Sequence, residues 1–337
     1  MPNEWIESYH QTNETEIRDN EGVKIQDLIS CEQGAGVEVN PLLHPELWDK
    51  LPKTLVGGKE ILYTNNLNEF NNSVACSDDG TVIIIADSNQ NTLQITTDSG
   101  DNWTTRQFDY QIDPDGVACS ANGEFVYVVD GSKISLYSDY GATVVREQDF
   151  VAGSGDAVDV SVNSDNTVVM VIADVGEIRR STNGAVTWTL LGSVGGDTNG
   201  HRLAFSDGLY GYVVGFGDAI KVTSDGGYTW TTSSATFPAS LSDVACDRTG
   251  QFVAVTTGTN NQVFLSSDYG DNFTAFAAVA DYCRGIAMTT GAEAIFVGTQ
   301  NTNNLQKITE PLTVAYVPNM PRETGSPTPW KVVADAT

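Results

Sequence analysis

One short turn recurs five times along this chain at a nearly constant interval. The copies are TTDSGDNW (Thr96 to Trp103), YSDYGATV (Tyr137 to Val144), STNGAVTW (Ser181 to Trp188), TSDGGYTW (Thr223 to Trp230) and SSDYGDNF (Ser266 to Phe273). Their third positions, Asp98, Asp139, Asn183, Asp225 and Asp268, are separated by 41, 44, 42 and 43 residues. A second family of strings, of which SVACSDDG and GVACSANG are the first two, sets Val74, Val117, Val160, Leu203, Val244 and Ile286 at steps of 43, 43, 43, 41 and 42. Two independent strings with one period make a tandem array, whose units bury their apolar faces against one another.

The turn has a physical logic. The hydroxyls of Thr96, Ser181, Thr223 and Ser266 and the acids two places on can accept hydrogen bonds from nearby backbone amides. Gly100, Gly141, Gly227 and Gly270 can take a positive φ. Trp103, Trp188, Trp230 and Phe273 close each unit with a ring that needs burial. The third copy departs, with Asn183 for the acid, Ala185 for the glycine and Gly184 one place early. In the second copy Tyr137 and Val144 replace the hydroxyl residue and the aromatic.

Each unit reads as four short strands rich in β-branched and aromatic residues, separated by Gly, Asn, Asp and Ser. The second strand is the most apolar, as in TVIIIAD, EFVYVVD and TVVMVIAD. Four strands per unit of about 40–45 residues define a β-propeller blade. The expected fold is all-β: a single propeller of six four-stranded blades over residues 71–319, with seven blades as the alternative. The sixth unit, from Gly285, keeps its strands but lacks the boxed turn, and EILYTNNLNEF (Glu60 to Phe70) is read as the eroded end of a preceding blade. Residues 1–70 form an irregular N-terminal docking arm and 320–337 a C-terminal tail.

The pattern Ser/Thr-x-Asp-x-Gly-x-Thr-Trp resembles the Asp-box, or BNR repeat, of sialidases, two-propeller xyloglucanases, sortilin-type receptors and assembly factors related to Ycf48. In that family the box lies between the third and fourth strands, away from the usual binding face. The resemblance therefore implies a structural role for Thr96, Asp98, Gly100, Trp103, Asp139, Gly141, Ser181, Asn183, Trp188, Thr223, Asp225, Gly227, Trp230, Ser266, Asp268, Gly270 and Phe273.

Composition narrows the partners. Forty-four acids against 17 Lys and Arg give a net charge of −27, which repels nucleic acid and anionic membranes. No apolar run reaches membrane-spanning length, so no membrane insertion is expected. Cys76, Cys119 and Cys246 share one repeat position on different blades, so they are expected as small buried thiols around the central packing, beside Cys31 and Cys283. With three histidines and no Cys-x-x-Cys, no metal site and no cofactor are expected.

A sialidase would need an arginine triad on the substrate carboxylate, and only Arg202 and Arg284 precede first strands, where a central site would open. The chain is accordingly expected not to be an enzyme. The links between blades bring Tyr110, Phe150, His201, Arg202, Phe237, Tyr282 and Arg284 toward one rim, an expected site for a glycan or protein receptor. The opening MPNEWIESYHQ carries acids where a secretion signal would carry basic residues. These features, with a resemblance to propellers encoded by phages, lead to the expectation of a virion structural protein on capsid or tail. Its N-terminal arm would join other virion or assembly proteins. A Ycf48-like assembly factor and a carbohydrate-binding or glycoside-hydrolase propeller are the alternatives, with an extracellular or cytoplasmic location in place of the virion.

Overall fold

The computed structural model describes residues 59–64, 73–87, 91–108, 114–149, 155–194, 202–215, 217, 219–279, 281–300, 302 and 304–309, together with the backbone of 9–11, 17–19, 29–30 and 38–39. Residues 59–309 form one compact unit. In the N-terminal 58 residues, backbone ladders join Tyr9–Gln11 to Ile17–Asp19 and Ile29–Ser30 to Glu38–Val39.

Six four-stranded antiparallel sheets make up the main unit, the first five each a meander of sequential strands. Blade one holds Val74–Cys76, Ile83–Asp87, Thr92–Thr96 and Thr104–Gln107. Blade two holds Gly116–Cys119, Val126–Asp130, Lys133–Ser138 and Thr143–Asp149. Blade three holds Ala157–Val162, Val169–Ala173, Glu177–Ser181 and Thr189–Ser193. Blade four holds Arg202–Phe205, Gly211–Val214, Lys221–Thr223 and Thr231–Thr232. Blade five holds Leu241–Cys246, Val253–Thr257, Gln262–Ser266 and Thr274–Ala278.

Blade six is made from both ends of the unit. Cys283–Met288, Ile295–Thr299 and Asn304–Ile308 are followed on the outside by Lys59–Thr64, in the register Leu305 to Tyr63 and Ile308 to Lys59. The segment read as the eroded end of a preceding blade is thus the missing fourth strand of the last one. The ring has six blades, and it begins at Lys59 rather than near residue 71.

Burial explains the sequence gradient within a blade. The second strand lies between two neighbouring blades, and Ile83–Asp87 and Val169–Ala173 are buried at every position. Both faces are covered, so both must be apolar and the period-two alternation disappears. The fourth strand is outermost, and Thr104–Gln107 and Thr189–Ser193 are largely exposed. Six apolar clusters each combine residues of two adjacent blades, one cluster per seam.

The boxed turns fasten these seams. In blade four the Thr223 hydroxyl donates to Asp225 Oδ1 (2.7 Å) and accepts the Gly227 N–H (3.1 Å). Asp225 Oδ1 accepts the Tyr228 and Thr229 N–H groups (3.0 and 2.9 Å), and Trp230 Nε1 donates to the Gly227 carbonyl (3.0 Å). Gly227 holds φ at 94°, and a Cβ there would come within 3.0 Å of Leu191 Cδ1 in blade three. The turn presses its backbone against the preceding blade. Ala185 occupies the same place in the third copy at φ 66°, a strained conformation for a residue with a side chain. The closing rings follow suit: Trp103 packs on Tyr63 of blade six, Trp230 edge-on to Phe205, and Phe273 against Phe237.

Candidate functional site

The first strands of the six blades surround a central cavity of about 100 Å³, lined by Ala75, Cys76, Ala118, Cys119, Ala245 and Cys246 among others. Small side chains suit this position, because six strands converge on one axis. Burial pushes the Cys119 thiol up to about 12 and those of Cys76 and Cys246 well above their ordinary value. They are neutral packing groups with little thiolate character. All four cysteines among the described residues are free, and Cys31 lies outside them.

Antiparallel meandering puts the turn between strands one and two on the same face as the boxed turn between strands three and four. On that face the one–two turns form a closed circle of hydrogen bonds. The Asp78 N–H donates to the Ala121 carbonyl (2.8 Å), Ala121 N–H to Ser164 (3.3 Å), Ser164 N–H to Asp207 Oδ1 (2.8 Å) and Asp207 N–H to Arg248 (2.9 Å). Gly291 N–H donates to Asp247 Oδ2 (3.4 Å), and Thr290 N–H returns to the Asp78 carbonyl (3.0 Å). Arg248 spans this circle. Its Nε donates to Asp78 Oδ1 (2.7 Å), Nη1 to the Val162 carbonyl (2.6 Å) and Nη2 to the Cys119 carbonyl (3.0 Å). One guanidinium therefore joins blade five to blades one, two and three and lines the cavity at the boxed-turn end.

The other end is fastened by side chains placed one residue before the apolar residue of the second repeated string. Ser73 Oγ accepts the Val117 N–H of blade two (3.0 Å), Asp159 Oδ2 the Leu203 N–H of blade four (2.8 Å) and Asp243 Oδ2 the Ile286 N–H of blade six (2.8 Å). Blades one, three and five supply these acceptors. Blades two and six carry Gly116 and Gly285 at that position, and a Cβ at Gly116 would fall 2.7 Å from Asp159 Oδ1. Blade four carries Arg202 there. Burial pushes both carboxyls above the usual carboxylate range, their mutual repulsion raises Asp243 further, and the charge of Arg202 opposes the rise in both.

The expected rim residues divide three ways. Tyr110, Phe150 and His201 lie outside the described residues. Phe237 is 7% exposed, enclosed by Phe264 and Phe273, so its ring belongs to the seam between blades four and five rather than to a receptor surface. Arg284 stacks over the Tyr282 ring (5.0 Å) and donates to Gln300 Oε1 (3.0 Å), which keeps those two together. Arg202 donates to the Val158 carbonyl (3.4 Å), and its charge favours the ionised forms of Asp159 and Asp243. Arg106 and Arg146, on fourth strands, donate to the carbonyls of Gly141 and Gly184 in the next blade's boxed turn, Arg146 at 2.6 Å.

Sequence reasoning missed Arg248, Asp159 and Asp243. A signal was present: polar residues sit at one fixed place of the period, where the other units have glycine, and Arg248 is the lone cation of its class of turn.

Exposed apolar side chains gather on the boxed-turn face. Tyr228 is 62% exposed, Leu209 54% and Tyr269 38%, all in turns of blades four and five, and Tyr140 and Val186 occupy boxed turns of blades two and three. Tyr210 and Tyr269 pack ring on ring with centroids 4.4 Å apart.

These features define a six-bladed β-propeller whose core is pinned at one end by an arginine and at the other by inter-blade carboxylates. Solved structures share the fold, among them the following three. One, described as YCF48 bound to D1 peptide, is 14% identical over 75% of this chain and 95% of that one, with a TM-score of 0.52. YCF48 from Cyanidioschyzon merolae is 12% identical over 75% and 99%, with a TM-score of 0.51. The structure of U3-55K is 11% identical over 71% and 80%, with a TM-score of 0.50. No protein-family model matches the chain, and no curated protein does.

Proposed function

We propose that this propeller is a non-enzymatic protein-binding module of the assembly or scaffold kind. The observation that carries the reading is the exposed cluster of Leu209, Tyr228 and Tyr269 on the boxed-turn face. Tyrosine supplies rigid contact area together with a hydrogen-bonding tip, and such rings are enriched at the centres of protein interfaces. A structural neighbour is described bound to a peptide, which fits this use of the fold. The two buried carboxylates nearest the axis are each engaged by two backbone N–H groups, so they act as fasteners rather than as an acid–base pair. The virion placement expected from the sequence finds no support among these neighbours.

The test is site-specific photo-crosslinking in the source cells, with the reactive group at position 228 and, as control, at exposed Val175 between strands two and three. A discrete protein adduct from position 228 alone supports the proposal. No adduct there, with turnover of a glycoside by the purified chain, overturns it.

A further inference from the structure

We infer that the segment received by the boxed-turn face of blades four and five is a basic, arginine-bearing stretch of a partner protein. The inference rests on the protein-binding reading above and adds the chemistry of the partner.

The apolar part of the surface is continuous across the two blades. Leu209 lies against the boxed turn of its own blade, where a Cβ on Gly226 would sit 3.5 Å from Leu209 Cδ2, two residues before Tyr228. Tyr210, next to Leu209, stacks on Tyr269 of blade five. Large exposed rings beside an exposed leucine mark a surface that gains by being covered.

The exposed charge of the turns around it is acidic. The same turns present Asp207, Asp225, Asp268 and Asp271, whereas Asp247 is enclosed within its turn. The side chain and backbone of Thr229, with the Thr223 hydroxyl, pull Asp225 down to about 2, and Asn272 does the same in direction for Asp268. These hydrogen bonds leave the charges in place, so the face is negative at any physiological pH. Arg248 is the one cation in those turns, and it is turned inward onto Asp78. Arg180 of blade three brings one half-buried guanidinium beside Gly226. Nucleic acids, anionic bilayers and acidic peptides are repelled by such a surface. Between the two basic side chains, arginine suits it better. Its weakly hydrated planar group stacks on tyrosine and reaches a carboxylate with directed donors, whereas the lysine ammonium is strongly hydrated.

The experiment is fluorescence anisotropy on the full chain at about 0.15 M salt, where long-range attraction is screened beyond roughly 8 Å. The probes are labelled nine-residue peptides of arginine, lysine, glutamate and alternating glycine–serine. The variants are Tyr228→Ala with Tyr269→Ala, which leaves net charge unchanged, and Glu147→Gln with Asp149→Asn, which removes two charges from the outer strand of blade two. Thermal melts establish that each variant folds. The expected result is that the arginine peptide binds about tenfold tighter than the lysine peptide, a preference abolished by the tyrosine pair and kept by the charge pair. Equal affinity for arginine and lysine, or an arginine preference untouched by the tyrosine pair, overturns the inference and leaves only general attraction to an acidic chain. If the glutamate or glycine–serine peptide binds through the same tyrosines, the face binds protein but the partner is not basic. If no peptide binds and position 228 gives no crosslink, both readings fail.

Discussion

The guanidinium of Arg248, on blade five, meets the carboxylate of Asp78, on blade one, at 2.7 Å. The two residues are 170 positions apart in sequence, and no chain connection explains their meeting. Closure of the ring brings them together, and their contact in turn resists its opening.

Replacing Arg248 by Met should therefore cost about 2–4 kcal/mol, somewhat below a fully enclosed ion pair because Asp78 is partly open to water. Urea unfolding at neutral pH measures it. Arg248→Lys should recover part of the loss, since an ammonium keeps the charge but cannot reach Asp78, Val162 and Cys119 from three fixed directions. An unchanged midpoint in the Met variant would remove Arg248 from the account of ring stability.

Asp159 and Asp243 make stability depend on pH. Their folded-state pKa values are raised, so the protonated form is favoured by folding. The contribution is fully present below the unfolded value near 4 and is lost as pH rises through the higher folded values. Asp98, Asp225 and Asp268 have lowered values, and their contribution is lost as pH falls below about 4. Melting temperature should fall on both sides of a mildly acidic optimum. Asp243→Asn should flatten the alkaline limb while lowering stability at the optimum, because an amide offers one acceptor to the Val244 and Ile286 N–H groups. An alkaline limb of unchanged slope would show that Asp243 does not titrate there.

Arg202→Ala should destabilise the ring before it affects any ligand, by about 1–3 kcal/mol, because Asp159 and Asp243 would lose the charge that offsets their burial. The loss should shrink as pH falls toward 4 and both carboxyls take up protons. A loss independent of pH would point to packing instead.

Gly123 sits in the one–two turn of blade two at φ 74°, and a Cβ there would lie 2.5 Å from Val82 Cβ in blade one. Gly123→Ala should cost about 2–4 kcal/mol from backbone strain and overpacking together. The same change at Gly217, also at positive φ but with nothing within 4 Å, should cost only the strain, about 1 kcal/mol. Comparing the two thermal melts separates the terms.

Much of the fold was legible because it is written locally and repeatedly. The spacing of Asp98 through Asp268 gave the period, and the apolar runs gave the strand order within a blade. Lys59–Thr64 escaped because it carries no box and its partner strand is at the far end of the chain. Phe237 was misplaced because an aromatic in a blade link looks the same in sequence whether it faces out or folds back onto Phe273. The roles of Arg248 and Asp159 exist only between blades, and one unit's sequence does not reveal what its neighbours present.

Closure through Lys59–Thr64 also sets an order of events in synthesis. Thr64 and its partner Asn304 are 240 residues apart. At 5–20 residues per second, about 12–50 s pass between the emergence of the first and that of the second. Throughout that interval Lys59–Thr64, the first strand of the ring to leave the ribosome, has no native edge to join. Blades one to five can each form as their own strands appear, whereas the sixth waits for the last. The ring is finished last, by the one of its strands that was made first.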